Sequence, residues 1–238
     1  HDSAAQVANG VSLGAHTSLE DLMAFAEGCE VVTFDHEHVP GELIRALEDK
    51  GHTVHPGSAA LLHAQDKLVM RTRLTDLGAP VPPFAAVATA DELTAFADEH
   101  GWPVVLKAAT GGYDGKGVWV VQSADEAAPV LASGVRLLAE QHVPLVRELA
   151  AVVARSPYGQ AAAWPVVETV QQDGICVEVI APAPGLAEER ALQAQELALD
   201  LANSLGVVGV LAVELFETAD GLLVNELAPR PHNSGHLT

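Results

Sequence analysis

Apolar positions along the chain change their spacing several times, and each change predicts an element. Leu19, Leu22, Met23 and Ala26 recur at helical spacing behind Ser18, which predicts a helix over 18–25 stopped by Gly28. Val31-Val32-Thr33-Phe34 reads as a short buried strand, 41–50 as a helix stopped by Gly51, and 53–57 as a strand and turn. This alternation predicts a parallel sheet with helices on its faces. Segment 2–14 supplies neither the strand nor the glycine turn that usually opens such a domain, so a preceding βα unit is expected. Another helix is expected over 66–77, ended by Gly78.

The stiff run Ala79-Pro80-Val81-Pro82-Pro83 is the best domain boundary. Beyond it, Thr89 with Glu92 and Ser123 with Glu126 have capping-box spacing, and Gly101 stops the first of these helices. Strands are expected over 103–108, 117–122, 136–140, 148–155 and 160–170, with a turn at Pro157-Tyr158-Gly159. A long helix follows over 187–205. Strands 207–216 and 222–227 form a hairpin around Ala219-Asp220-Gly221. The expected class is therefore α/β passing into α+β.

Composition narrows the function. A hydrophobic fraction of 49% describes a globular chain, and no apolar run approaches the roughly 20 residues of a membrane-spanning helix. Formal charge is −20, from 32 acidic against 12 basic residues, which excludes bulk nucleic-acid binding but not a nucleotide held by a few local cations. Cys29 and Cys176, far apart, suggest a reduced compartment without a disulfide framework. The eleven histidines show no HExxH-type spacing, and the N-terminus carries no targeting pattern.

Candidate chemistry concentrates late in the chain. Antiparallel pairing about Ala219 and Asp220 places Glu214 nearly opposite Glu226, with side chains on one face and roughly 5 Å apart. Two such carboxylates repel unless a cation lies between them, and magnesium takes one or two carboxylates plus phosphate oxygens and water. The segment 107–117 runs strand–loop–strand, so it is not a P-loop. It suits a glycine flap over phosphates with Lys107 aimed at them, and equally an ordinary flexible hairpin. Glu140-Gln141-His142-Val143 suits an adenine-binding hinge with Glu148 for ribose hydroxyls, or a solvated loop. Arg230, His232, Asn233, Ser234 and His236 crowd anion-binding types into seven residues.

At these residues the chain resembles the ATP-grasp superfamily and, within it, the N5-carboxyaminoimidazole ribonucleotide synthetase family. The likeness rests on 33–40, Gln65-Asp66-Lys67, the glycine loop 111–117, Glu140-Gln141-His142-Val143 and 225–236. It implies a partial Rossmann-like domain with a connecting helix over 1–78, a small αβ lid over 79–143 and a sheet-rich central domain over 144–238. It also implies ATP-dependent carboxylation of 5-aminoimidazole ribonucleotide with bicarbonate, through carboxyphosphate, in purine biosynthesis. The sister formate-dependent glycinamide ribonucleotide transformylase, a catalytically silent nucleotide-binding subunit and a purely structural acidic domain stand as alternatives.

Carried over by motif, Lys67 and Lys107 bind ATP phosphates. Gly112, Tyr113, Asp114, Gly115, Lys116, Gly117 and Val118 form the flap. Glu140, Gln141, His142 and Val143 form the adenine hinge, Glu148 takes the ribose, and Asn225 joins Glu226 at the nucleotide. Glu214 and Glu226 hold magnesium, with manganese as the alternative ion. Arg230, His232, Asn233 and Ser234, with Asp114 and Lys116, are the catalytic set. Glu37, Tyr113, Asp114, Arg230 and His232 face the aminoimidazole substrate. The resemblance further implies a cytoplasmic homodimer with no nucleic-acid or membrane partner. Three departures stand out: the family's opening glycine turn and basic C-terminal segment are missing from this sequence, Leu237 replaces a usual aromatic, and Gln171 replaces a histidine found in some members.

Overall fold

The computed structural model describes residues 4–112 and 115–236. Four helices come first: α1 (Leu19–Ala26), α2 (Gly41–Asp49), α3 (Ser58–Gln65) and α4 (Lys67–Asp76). Ile44, Leu47 and Leu61 from α2 and α3 pack with Val32, Phe34 and Val54 into a small core. The parallel sheet predicted here is reduced to a single bridge between Val32 and Val54. Two segments of three or four residues with only each other as partner cannot extend a ladder. The predicted helix over 66–77 forms as α4, because the Asp66 carboxylate accepts from the amides of Leu68 and Val69 at 3.0 and 3.1 Å. The Ala/Leu-rich α3 directly before it was not predicted.

The middle of the chain builds an antiparallel sheet from β1 (Phe84–Val87), β2 (Val104–Ala108), β3 (Val118–Val121) and β4 (Leu137–Gln141), in the order β1-β4-β2-β3. Helices α5 (Ala90–His100) and α6 (Ala124–Leu131) cover one face with Leu93, Phe96 and Ala127. Thr89 and Glu92 form the full reciprocal cap predicted for α5. At α6 the return bond is displaced: Ser123 accepts from the Glu126 amide, but the Glu126 carboxylate takes the amide of Gln122 instead, at 2.7 Å.

A larger antiparallel sheet follows, made of β5 (Leu145–Arg155), β6 (Ala161–Ala163), β7 (Val167–Gln172), β8 (Ile175–Ile180), β9 (Gly209–Thr218) and β10 (Leu222–Ala228). Its order is β10-β9-β5-β7-β8, with β6 pairing beside β5. The single strand predicted over 160–170 is split into β6 and β7 around Pro165, which has no amide hydrogen for the ladder. Helix α7 (Glu188–Ser204) lies on one face, presenting Ala194, Ala198, Leu201 and Ala202 to Leu149, Ala151, Val153, Leu211, Val213 and Leu215. The odd-numbered residues in the middle of β5 and β9 are thus committed to the core. Glu148 and Glu214, at even positions, are left on the opposite face, which the smaller sheet and its glycine loop overhang. Among the described residues, no helix is long and apolar enough to cross a membrane.

Candidate active site

The cleft begins with an irregularity in β10. Leu222 pairs with Glu217 and Val224 with Leu215, but Glu226 pairs with Glu214, so Asn225 is an extra residue. The core records the same shift: Leu222 and Val224 belong to the layer under α7, and the next member is Leu227. In a regular strand, neighbours point to opposite faces; the bulge lets Asn225 and Glu226 both face the cleft. The predicted opposition of Glu214 and Glu226 therefore depends on one inserted residue.

These groups line a cleft of about 420 Å³ between the two sheets. Lys67, at the first turn of α4, sets its Nζ 2.6 Å from Glu226 Oε1. Lys107, at the end of β2, lies 2.6 Å from Glu140 Oε2 and donates to Asn225 Oδ1 at 3.0 Å. Asn225 in turn donates through Nδ2 to Glu214 Oε2 at 3.2 Å. The other oxygen of Glu214 is 3.2 Å from His232 Nε2, and His232 Nδ1 is 2.9 Å from Ser234 Oγ. The Ser234 amide also donates to that Nδ1, which places the proton of the neutral ring on Nε2, facing Glu214.

Arg230 forks onto both carboxylate oxygens of Glu37, with Nη2 3.3 Å from Oε1. Gln65 steadies the Glu37 segment by donating to the carbonyls of Glu37 and Val39 at 2.9 and 2.7 Å. A smaller hollow of about 260 Å³ lies between this segment and the glycine loop, sharing Glu37 and Gly112 with the main cleft. The loop reaches across to the β7–β8 turn. Gly115 has φ +72°, and a Cβ there would lie 3.0 Å from Gly174 Cα. A side chain at that point is excluded by both conformation and space.

The carboxyls differ sharply in electrostatics. Burial pushes Glu140 up, but Lys107 and Arg71 outweigh it and hold the group at about 2. Burial likewise raises Glu226, and Lys67 and Lys107 bring it below the ordinary range. Burial opposes the effect of Arg230 on Glu37, and the net result is again a lowered carboxyl. Glu148 goes the other way: burial and the Glu214 charge raise it to about 7, with Lys107 opposing only in part.

Not every expected residue reaches the cleft. Glu148, Asn225, Glu226, Arg230, His232 and Asn233 line it, as do Gly112, Gly115 and Val118 of the loop. Glu140 is buried beneath Lys107, and its carboxylate is engaged by two cations. The Gln141 amide is bonded to the Pro83 carbonyl, and neither Gln141 nor His142 nor Val143 contributes to the cleft lining. Lys116 is exposed on the loop, and Ser234 is buried behind His232. Tyr113, Asp114 and Leu237 lie outside the described residues. Sequence alone assigned no role to Arg71, nor to Val105 and Phe216, which line the cleft together with Val118 of the flap. Arg71 had a signal: an arginine one turn after Lys67, within the buried stripe of Met70 and Leu74.

Comparison with known proteins agrees with this architecture. The ATP-grasp domain family matches residues 72–238, and the ribonucleotide synthetase preATP-grasp domain family matches residues 1–65. The chain belongs to the ATP-grasp family. Among its relatives within that family are N5-carboxyaminoimidazole ribonucleotide synthases. The Mycobacterium tuberculosis synthase is 58% identical over 242 residues, covering 100% of this chain and 56% of the relative. That of Corynebacterium ammoniagenes is 49% identical over 245 residues, covering 99% and 59%. The Aspergillus clavatus synthase, solved with ADP and 5-aminoimidazole ribonucleotide, superposes with a TM-score of 0.90 at 30% identity, covering 98% of this chain and 62% of that one. The chain thus spans little more than half the length of the relatives it matches.

Proposed function

We propose that this chain carries the nucleotide and carboxylation site of an enzyme that joins bicarbonate to the exocyclic amine of 5-aminoimidazole ribonucleotide at the expense of ATP. The products are N5-carboxyaminoimidazole ribonucleotide, ADP and phosphate. The observation that carries this reading is the opposed pair Glu214 and Glu226, flanked by Lys67 and Lys107, with Arg230 and His232 in the same cleft.

The donor set fits magnesium, or manganese in its place. Two opposed carboxylates beside two lysines leave most of the coordination sphere to phosphate oxygens and water, as magnesium prefers. Among the described residues no group of three or more His, Cys, Asp or Glu could form a dedicated metal cage. When bound, the ion neutralises charge on the transferring phosphoryl group. The slot of Val105, Val118 and Phe216 takes the adenine ring, and Glu148 takes the ribose hydroxyls. Lys67 and Lys107 exchange part of their bonding with protein acids for phosphate oxygens.

Bicarbonate is a poor electrophile, so its oxygen first takes the γ-phosphoryl group, releasing ADP and forming carboxyphosphate. Arg230, its guanidinium plane set by Glu37, holds the anion. His232, with its proton on Nε2, faces the same space. The amine nitrogen then forms a bond to the carboxyl carbon, phosphate leaves with the oxygen it received, and the proton lost by the nitrogen goes to the departing phosphate. Carboxyphosphate is lost to water unless the site is closed, and the glycine loop reaching to Gly174 is the part that closes it. The Glu37 hollow beside this loop receives the aminoimidazole ring.

The test is ADP release by the full-length protein. It is expected to require magnesium, bicarbonate and 5-aminoimidazole ribonucleotide together. Release driven instead by formate and glycinamide ribonucleotide would assign the chain to the transformylase reaction.

A further inference from the structure

Arg71 is a buried charge that the chemistry above does not use. It stands one turn after Lys67 on α4, between Met70 and Leu74, and is 0% exposed. Its Nε donates to Oε1 of Glu140, itself only 2% exposed. Glu140 Oε2 is the oxygen that holds Lys107 Nζ at 2.6 Å, and the same ammonium reaches Asn225 at 3.0 Å on the floor of the cleft. Arg71, Glu140 and Lys107 therefore form a line of charges that ends at the phosphate side of the site.

This arrangement is costly for a purely structural part. Nη1 and Nη2 of Arg71 are buried without a hydrogen-bond partner. A buried ion pair is often no more stable than apolar side chains of the same volume, so stability gives little reason to keep an incompletely bonded guanidinium here. Charge balance gives a better one. With Lys107 as its sole partner, Glu140 would neutralise the ammonium and draw it away from a nucleotide. A second cation on the far oxygen leaves the trio with a net positive charge, and it fixes the carboxylate so that Oε2 can hold Lys107 in one place. The guanidinium also acts at longer range on Glu226, adding to Lys67 and Lys107 in keeping that acid ionised.

We propose that Arg71 is a positioning residue for the nucleotide: acting through Glu140, it holds Lys107 at the cleft and leaves the lysine's charge available to ATP phosphates. The proposal rests on the reading of the cleft as an ATP site. It makes no contact claim for Arg71 itself.

The experiment compares the full-length wild type with Arg71→Met, Arg71→Lys, Glu140→Gln and the Arg71→Met/Glu140→Gln double variant. Mg-ADP affinity is measured by calorimetry, and KM and kcat are measured for all three substrates. Arg71→Met is expected to raise the ADP Kd and the ATP KM by about 10- to 100-fold, the loss of one charge-assisted contact. The kcat and the KM values for bicarbonate and aminoimidazole ribonucleotide should change far less. Arg71→Lys should recover most of the affinity. Arg71→Met should add nothing in the Glu140→Gln background, because the effect passes through that acid.

Wild-type ADP affinity in Arg71→Met would overturn the proposal, as would equal losses for all three substrates or additive losses in the cycle. If the single methionine variant does not fold, Glu140→Gln and the double variant decide: the proposal expects equal ADP affinity in the two, and a further loss from Arg71→Met in that background would be equally fatal. Failure of the wild type to bind Mg-ATP would remove the nucleotide reading itself, and the proposal with it.

Discussion

Glu140 and Glu148 are eight residues apart, both next to the same cleft, and pushed in opposite directions. Glu140 is held at about 2, and Glu148 is raised to about 7. Both are penalised by burial, so burial alone does not separate them. The difference lies in the neighbours. The wall formed by α4, β2, β4 and β10 sets a cation against each of two acids: Lys67 against Glu226, and Arg71 with Lys107 against Glu140. The wall formed by β5, β7 and β8 brings Glu148, Gln171 and Cys176 to the cleft, where Lys107 eases Glu148 only in part. One wall is charge-compensated before any ligand arrives, and the other waits for compensation. In the proposed function, the compensated wall holds phosphates and metal, and the uncompensated wall holds the sugar and base.

The most severe way to break this contrast is to remove an acid from the compensated wall. Glu226→Gln takes away a proposed metal donor and strands Lys67. ADP formation is expected to fall on the order of 1,000-fold, equivalent to several kcal/mol of transition-state stabilisation. A loss under tenfold in a coupled ADP assay would break the assignment. Arg230→Ala should come next, at about 100-fold, the usual scale for removing a preorganised donor. Glu37→Gln should cost less than Arg230→Ala, because it loosens the guanidinium without deleting it. The reverse order would show Glu37 to be the more direct participant.

Glu148 sharpens the contrast through pH. Its folded-state pKa lies above the unfolded value, so the native state binds more protons across that interval. Stability from this group is full below the unfolded pKa and is lost as pH rises through about 7. Glu148→Gln should therefore match the wild type in acid and exceed it in Tm as pH rises through that range. A constant Tm difference would contradict this. A metal held by Glu214 and Glu226 as proposed would neutralise them, so wild-type Mg-ADP binding near neutral pH should also release protons, read as a buffer-dependent calorimetric enthalpy. The smallest effect is expected from Gln171→Lys, which puts a cation on the uncompensated wall. It should lower the inflection of the Glu148→Gln difference curve by less than about one pH unit, and an upward shift would refute the charge argument.

Local chemistry was readable in the residues; tertiary partnership was not. Ser18, Asp66 and Thr89 announced their helices because a cap acts within three residues. The hairpin that opposes Glu214 and Glu226 could be inferred from its turn, although the inserted Asn225 that sets the final register could not. Strand β8 was missed despite a clear signal, since Asp173 and Gly174 both have positive φ in the tight turn that leads into an alternating run. The parallel sheet was over-read because alternation predicts strands without stating what they pair with. The carboxylates near the cleft could be named from the sequence, but which acid meets which base depends on α4 crossing between two sheets. That crossing is why Arg71 and the opposite shifts of Glu140 and Glu148 emerge only in three dimensions.

The extra residue in the last ribbon also bears on how this part of the gene tolerates a change of length. With every residue kept, an unbroken ladder would set Glu226 against Val213, in the oily layer beneath α7. Losing the codon for Asn225 alone closes the bulge with Glu226 still opposite Glu214 and Leu227 still in that layer. Such a deletion should leave folding intact and cost the cleft only the amide that links Lys107 to Glu214.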